Sequence, residues 1–137
     1  MRPPRVAVVG ESLDRRLIGP VSRADIVRFA GAGGDFNPLH HDPEFARAAG
    51  FDDVIAMGQY QAGLLAALLS DLFGVENVLE FGVRFVRPVG LGDTVELSGE
   101  VMTVTGVVAD LKLTASVEGE PVVTGTARVR VQGEDTP

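Results

Sequence analysis

The segment Gly58 to Phe73 constrains this chain more than any other, because its middle, Ala62-Gly63-Leu64-Leu65-Ala66-Ala67-Leu68-Leu69, would be apolar on every side of a helix. A helix without a polar face is stable in water only when other elements enclose it. The run stops at Ser70 and Asp71, well short of the ~20 apolar residues that span a bilayer. The sequence therefore predicts a helix over 58–73 that is buried all round, with Ala62, Gly63, Ala66 and Ala67 small enough for a sheet to approach closely.

The enclosing material lies downstream. Val78 to Arg87, Asp93 to Thr105, Val107 to Glu118 and Val122 to Val131 are rich in Val and Thr and partly alternate in polarity; Pro88-Val89-Gly90, Gly92-Asp93, Gly106 and Gly119-Glu120-Pro121 punctuate them. That pattern reads as antiparallel strands with short connections. A further strand near Ser12 to Gly19 would make a sheet long enough to curl round one helix. Upstream, Ser22-Arg23-Ala24-Asp25 reads as a capping box with Asp in place of Glu, opening a helix that ends near Gly31 to Gly34. Asp42 before Pro43 is an N-cap with proline at the first helical position, so a short helix is expected from Pro43 to Ala49. The expected class is α+β, a long central helix wrapped by a curved antiparallel sheet.

At 137 residues a single domain over 1–137 is expected, with tails at about 1–5 and 133–137. Hydrophobic residues make up 45% and charged residues 23%, which excludes disorder as a description of the whole chain. Nineteen acidic against 12 basic residues leave a net charge of -7, unfavourable for a general nucleic-acid binder. The absence of cysteine excludes disulfides, thiolate catalysis and iron–sulfur ligation together. Val6 to Val9 is too brief for a secretory core, so a cytoplasmic protein with no nucleic-acid or membrane partner is expected.

Chemistry concentrates in Asp35-Phe36-Asn37-Pro38-Leu39-His40-His41-Asp42, an irregular stretch before the long helix. A carboxylate and an imidazole five residues apart across a proline-fixed turn can aim at one small space and share a water, which is general acid–base catalysis. Asn37 would fix the turn or orient the pair. The same residues also read as Asp35 capping the Pro38 turn and His40 as a half-buried packing residue, and spacing alone leaves both open. A metal site built on Asp35, His40, His41 and Asp42 is not expected, because neighbouring side chains diverge and Asp42 is better used as a cap. His41 is expected to face solvent or substrate.

Gly34-Asp35-Phe36-Asn37-Pro38-Leu39-His40, followed by Asp42-Pro43, Ala46, Ala49 and Ile55-Ala56-Met57-Gly58, resembles the MaoC-like (R)-specific enoyl-CoA hydratase/dehydratase family. Phe81-x-Val83-Arg84-Phe85-x-x-Pro88 and Gly92-Asp93 are a weaker second echo. The resemblance implies the hot-dog fold and hydration of trans-2-enoyl thioesters to (R)-3-hydroxyacyl thioesters, or the reverse. It implies Asp35 and His40 as the catalytic pair, Asn37 as support and the Gly58 N–H as the partner of the thioester carbonyl. No cofactor is implied beyond the coenzyme A or acyl carrier of the substrate itself. A homodimer is expected, and a heteromer with another hot-dog chain is possible.

Two departures matter. The family usually carries His where this chain has Met57, and a small hydroxyl residue where it has Gly63. With Gln59, Tyr60 and Gln61 in place of more apolar residues, Met57, Gln59, Tyr60 and Gly63 become candidate substrate contacts; equally, these residues pack at helix entry or at a subunit interface. The departures motivate an alternative, an incompletely catalytic subunit that binds an acyl thioester or completes a site with a partner chain. A thioesterase of the same fold would place its carboxylate on the central helix, where only Asp71 is available. Arg84, Arg87, Arg128 and Arg130 are the candidate contacts for carrier phosphates, and a few of them are expected to gather at the pocket mouth.

Overall fold

The computed structural model describes residues 1–133. In chain order it contains β1 (Arg16–Ile18), α1 (Arg23–Gly33), α2 (Pro43–Ala48), α3 (Gly58–Phe73), β2 (Val78–Phe85), β3 (Val95–Thr105), β4 (Val108–Val117) and β5 (Glu120–Arg130), with short 3-10 turns at Pro38–His40 and Val75–Asn77. The strands form one antiparallel sheet in the order β1-β3-β4-β5-β2. Ser12 adds an isolated bridge to Glu100 beside β1. The expected helices and strands are all present, and the α+β hot-dog architecture is the one observed.

The register explains which side of the sheet holds α3. Leu111 lies opposite both Val101 and Ala127, and Leu113 opposite Gly99 and Gly125. Side chains of this row share one face because the strand period is two. Val95, Leu97 and Val101 on β3, Ala109 to Ala115 at alternate positions on β4, and Val123, Ala127 and Val129 on β5 are buried in one cluster with Leu65, Leu68, Leu69 and Phe73 of α3. The opposite face carries Asp110, Lys112, Thr124, Thr126 and Arg128.

One expectation changes. Helix α3 is not enclosed on every side: Ala62, Leu65, Leu68, Leu69 and Phe73 are buried, whereas Gly63, Ala67 and Asp71 are exposed. The sheet covers one side only, and on the other α1 reaches just the first turns, where Phe29 lies 3.9 Å from the Cβ position of Gly63. Residues 2–5, expected as a tail, are docked across the end of α3. The Arg5 guanidinium sits 5.2 Å over the Phe73 ring and pairs with Glu11, and buried Asn77 donates from Nδ2 to the Phe73 carbonyl at 2.7 Å and the Arg2 carbonyl at 3.2 Å. The expected carboxy-terminal tail lies, from residue 134 onward, outside the described residues.

Helix α1 opens on a reciprocal cap. The Asp25 N–H donates to Ser22 Oγ at 3.1 Å, and the Ser22 N–H donates to Asp25 Oδ2 at 2.9 Å. The Ser22 N–H bond to the carboxylate, with smaller contributions from the Ser22 side chain and Arg28, holds the Asp25 carboxyl below its ordinary value of 3.8. A folded-state pKa below the unfolded one adds stability above the unfolded value and loses it as pH falls through the folded one. Ser22→Ala should cost about 1 kcal/mol at neutral pH, read as a lower urea midpoint, and the deficit should shrink in acid as Asp25 protonates.

Candidate active site

Helix α1 ends at Gly34, whose φ of 70° is left-handed and whose N–H caps the Ala30 carbonyl. The Asp35 N–H bonds the same carbonyl at 3.1 Å, so the carboxylate leaves the end of α1 at a fixed point. Asp35 Oδ1 accepts from the Asn37 N–H at 3.3 Å, and Asn37 Oδ1 accepts from the Leu39 N–H at 3.0 Å. These two bonds wind the Pro38 turn and bring His40 back toward Asp35. Asn37 touches neither reactive atom and acts through the turn.

Ile55 fixes the imidazole. Its N–H donates to the Leu39 carbonyl at 3.0 Å, and its carbonyl lies 2.8 Å from His40 Nδ1. A carbonyl only accepts, so Nδ1 carries a proton and Nε2 is the nitrogen free to exchange one. Nε2 lies 3.3 Å from Asp35 Oδ2. The His40 side chain is 8% exposed and that of Asp35 47%, which gives the pair one dry end and one end open to a ligand. The turn and the pairing coexist: Asp35 uses one oxygen for the turn and turns the other to His40, which is buried rather than half-buried.

The Ala56 N–H donates to the Val89 carbonyl at 2.8 Å, and Ile55 bridges Gly90. Residues 55–57 are therefore stitched between the His40 turn and the loop after β2, and they deliver the start of α3 beside the pair. The result is a cleft of about 400 Å³ lined by Asp35, His40, Ile55 to Gln59, Gln61 and Phe85 to Pro88. A Cβ at Gly58 would lie 2.8 to 3.2 Å from the Phe85 ring, so a larger residue here would have to displace that ring from the cleft wall. Its N–H has no acceptor among the described residues and belongs to the positive end of α3.

Met57 is buried in the cleft wall and Gln59 sits at its exposed rim. Tyr60 and Gly63 do not line the cleft and turn toward α1 instead. Tyr60 meets Phe29 edge-on at 5.7 Å, and burial, reinforced by Asp25, pushes its phenol above 10.0. The helix period separates these two from Gly58 and Gln61. Gln61 is 1% exposed and its Oε1 has no hydrogen-bond partner among the described residues; an orphaned buried polar group of this kind costs about 1–3 kcal/mol. The signal for it in the sequence is a polar residue on the same stripe as Ala62, Leu65 and Leu69. Phe85 and Pro88 were legible only as parts of the second motif echo.

The expected gathering of arginines reduces to one. Arg87 lines the cleft without a carboxylate partner among the described residues. Arg84 and Arg128 lie in a broader depression of about 1040 Å³ on the face of the sheet turned from α3, where Arg128 pairs with Asp110 at 2.9 Å; Arg130 is exposed at the end of β5. That depression holds no histidine, and the Asp35–His40 pair lies in the smaller cleft. Beside the cleft, Arg87 also borders a hollow carrying Asp52, Asp53, Asp93, Glu118 and Glu120. His41 is exposed with Nε2 3.1 Å from the Phe36 carbonyl, and Asp42 caps α2 through the Glu44 and Phe45 N–H groups. Asp71 lies in the last turn of α3, paired with Arg16 at 2.6 Å, at the far end from the cleft. No described helix is long and apolar enough to cross a membrane.

Comparison with known proteins adds four findings. Residues 5–126 match the family model described as MaoC like domain. The chain is 32% identical over 130 residues to a protein of Rhodospirillum rubrum named (R)-specific enoyl-CoA hydratase, covering 90% of this chain and 88% of that one. It is 36% identical over 115 residues to the 3-hydroxybutyryl-CoA dehydratase of Methylorubrum extorquens, covering 81% and 73%. Among solved structures, a chain of the ChsH1-ChsH2 complex from Mycobacterium tuberculosis superposes with a TM-score of 0.83 at 28% identity, over 93% of this chain and 100% of that one.

Proposed function

The chain belongs to the MaoC-like family, and from that premise we propose that it adds water to trans-2-enoyl thioesters to give (R)-3-hydroxyacyl thioesters, or runs the reverse dehydration. The observation that carries the reading is the Asp35 Oδ2 to His40 Nε2 approach of 3.3 Å in a cleft that opens beside the start of α3. Relatives named hydratase and dehydratase support both directions of one reaction.

The step starts from the ion-pair form, with Nδ1–H of His40 held by Ile55. Asp35 takes one proton from a water held between the two side chains, and the water oxygen bonds to C3 of the substrate. The C2–C3 π electrons move toward the thioester oxygen, where the Gly58 N–H and the positive helix end stabilise the developing charge. His40 Nε2 then gives its proton to C2, and the proton on Asp35 passes to Nε2 to restore the pair. One water is consumed and no other reactant is needed. The scheme uses no metal or other cofactor; the coenzyme A or acyl-carrier thioester is part of the substrate. Loss of enoyl absorbance when the purified chain meets crotonyl-CoA tests this reading, and thiol release without enoyl consumption would replace it with thioester hydrolysis.

Arg87, which lines the cleft without a carboxylate partner among the described residues, is the residue proposed to meet the carrier's phosphates. Arg87→Glu should raise KM for crotonyl-CoA about 5–10-fold with kcat little changed, and the effect should fade in high salt. The corresponding pantetheine thioester, which lacks the nucleotide phosphates, should not distinguish the variant.

The assembly proposed is a homodimer. Strands β1 and β2 are the two edges of the sheet, and Leu79, Phe85 and Val86 are exposed along or just after β2, an edge that needs covering. The similarity to a chain of a two-component complex supports a second hot-dog chain as the alternative partner. Light scattering combined with the crotonyl-CoA assay separates them: an inactive chain that gains activity only with a second hot-dog protein would favour the heteromer.

A further inference from the structure

A water about to add to C3 has two O–H groups to place, and the Asp35–His40 pair accounts for only one of them. Asp35 Oδ2 accepts the O–H whose proton is transferred, while its Oδ1 is turned to the Asn37 N–H of the Pro38 turn. Asn37 Oδ1, the nearest other side-chain acceptor in sequence, is committed to the Leu39 N–H, and Asn37 does not line the cleft. A water held by one acceptor and by the His40 Nε2–H can still exchange its free O–H with its free lone pair, and so presents that lone pair to C3 only part of the time.

Gln61 offers the missing acceptor. It lines the same cleft as Asp35 and His40, it is 1% exposed, and its Oε1 has no hydrogen-bond partner among the described residues. It follows Gly58 by three positions, so both lie on one face of α3, and its side chain leans back over the first turn, toward the opening of the cleft. The terminal torsion of glutamine is broad and two-fold, which lets the carboxamide present its oxygen to the cleft from its packed position. Elsewhere the wall at this point is apolar, made by Met57, Phe85, Val86 and Pro88. An unpaired amide there lowers stability unless a ligand uses it.

Resting on the hydratase reading above, we propose that Gln61 Oε1 accepts the second O–H of the reacting water, and equally the 3-hydroxyl of the product, so that the attacking lone pair points at C3. No bond to Gln61 forms or breaks. It touches the water and takes no proton.

Gln61→Leu and the unbranched Gln61→Met remove the acceptor while keeping an apolar filling of similar size. Each should lower kcat for crotonyl-CoA hydration about 10–100-fold with KM within about threefold, and each should melt at or above the wild-type temperature because a buried orphan is gone. A purely structural role predicts the opposite stability change. In an Asp35→Asn background, where turnover is blocked, binding of (R)-3-hydroxybutyryl-CoA and butyryl-CoA reads the hydroxyl contact directly. The preference for the hydroxylated ligand should disappear when Gln61→Met is added. Unchanged kcat in either folded variant, or a hydroxyl preference that survives, overturns the proposal. Failure of the wild-type chain to consume crotonyl-CoA counts against the hydratase reading instead, and the binding comparison then still decides whether Gln61 meets a hydroxyl.

Discussion

Asp35→Asn should lower kcat for crotonyl-CoA hydration about 10³-fold, within the range attributed to a positioned acid or base, with little change in the unfolding midpoint. The amide keeps an oxygen that accepts from the Asn37 N–H, so the turn that positions His40 survives. The side chain is 47% exposed, so no buried charge is left behind to destabilise the fold. What disappears is the second oxygen facing Nε2, which in the proposed step takes the proton from water and returns it. Stopped-flow or steady-state enoyl absorbance measures the loss, and urea denaturation checks that the fold is intact. Full activity in the variant would remove Asp35 from the chemistry.

The first half of the site was legible because it is local. Five residues separate Asp35 from His40, Pro38 and Asn37 dictate a turn, and a turn of that size closes the two side chains on one another. The helix spans were equally legible: Gly58 to Phe73 and the box at Ser22 announce their own ends. The far wall was not, because Phe85 to Pro88 reach the cleft through strand register and the Ala56–Val89 hydrogen bond, neither of which is written in local spacing. The same limit applies to the arginines. Arg84 and Arg87 are three positions apart, yet one lies on the outer face of the sheet and the other at the cleft. Tyr60 and Gly63 were grouped with Met57 and Gln59 by proximity in sequence, and the turn of the helix carries them to Phe29 instead.

Leu65→Ala carries the largest expected loss of stability, about 2–5 kcal/mol. Leu65 is fully buried on α3, in the same cluster as Leu97, Leu111 and Leu113 of the sheet. Truncation opens a cavity between helix and sheet, and neither can close it without breaking the register that pairs Leu111 with both its neighbours. The urea midpoint should fall with the m value unchanged. A loss below about 1 kcal/mol would mean that the helix collapses onto the sheet more easily than close packing allows. Substitution at Ala67, on the exposed side of α3, should cost far less and serves as the control.

The central claim is that Asp35 and His40 work as one device on an enoyl thioester. His40→Asn is the informative partner variant, because the amide N–H can replace Nδ1–H on the Ile55 carbonyl while Nε2 is lost. Measuring kcat for crotonyl-CoA in the wild type, Asp35→Asn, His40→Asn and the double variant tests the claim most directly. Two groups that act as a unit give a double variant about as slow as either single one, and that is the predicted result. Wild-type turnover in either single variant, or losses that multiply fully in the double variant, would contradict it.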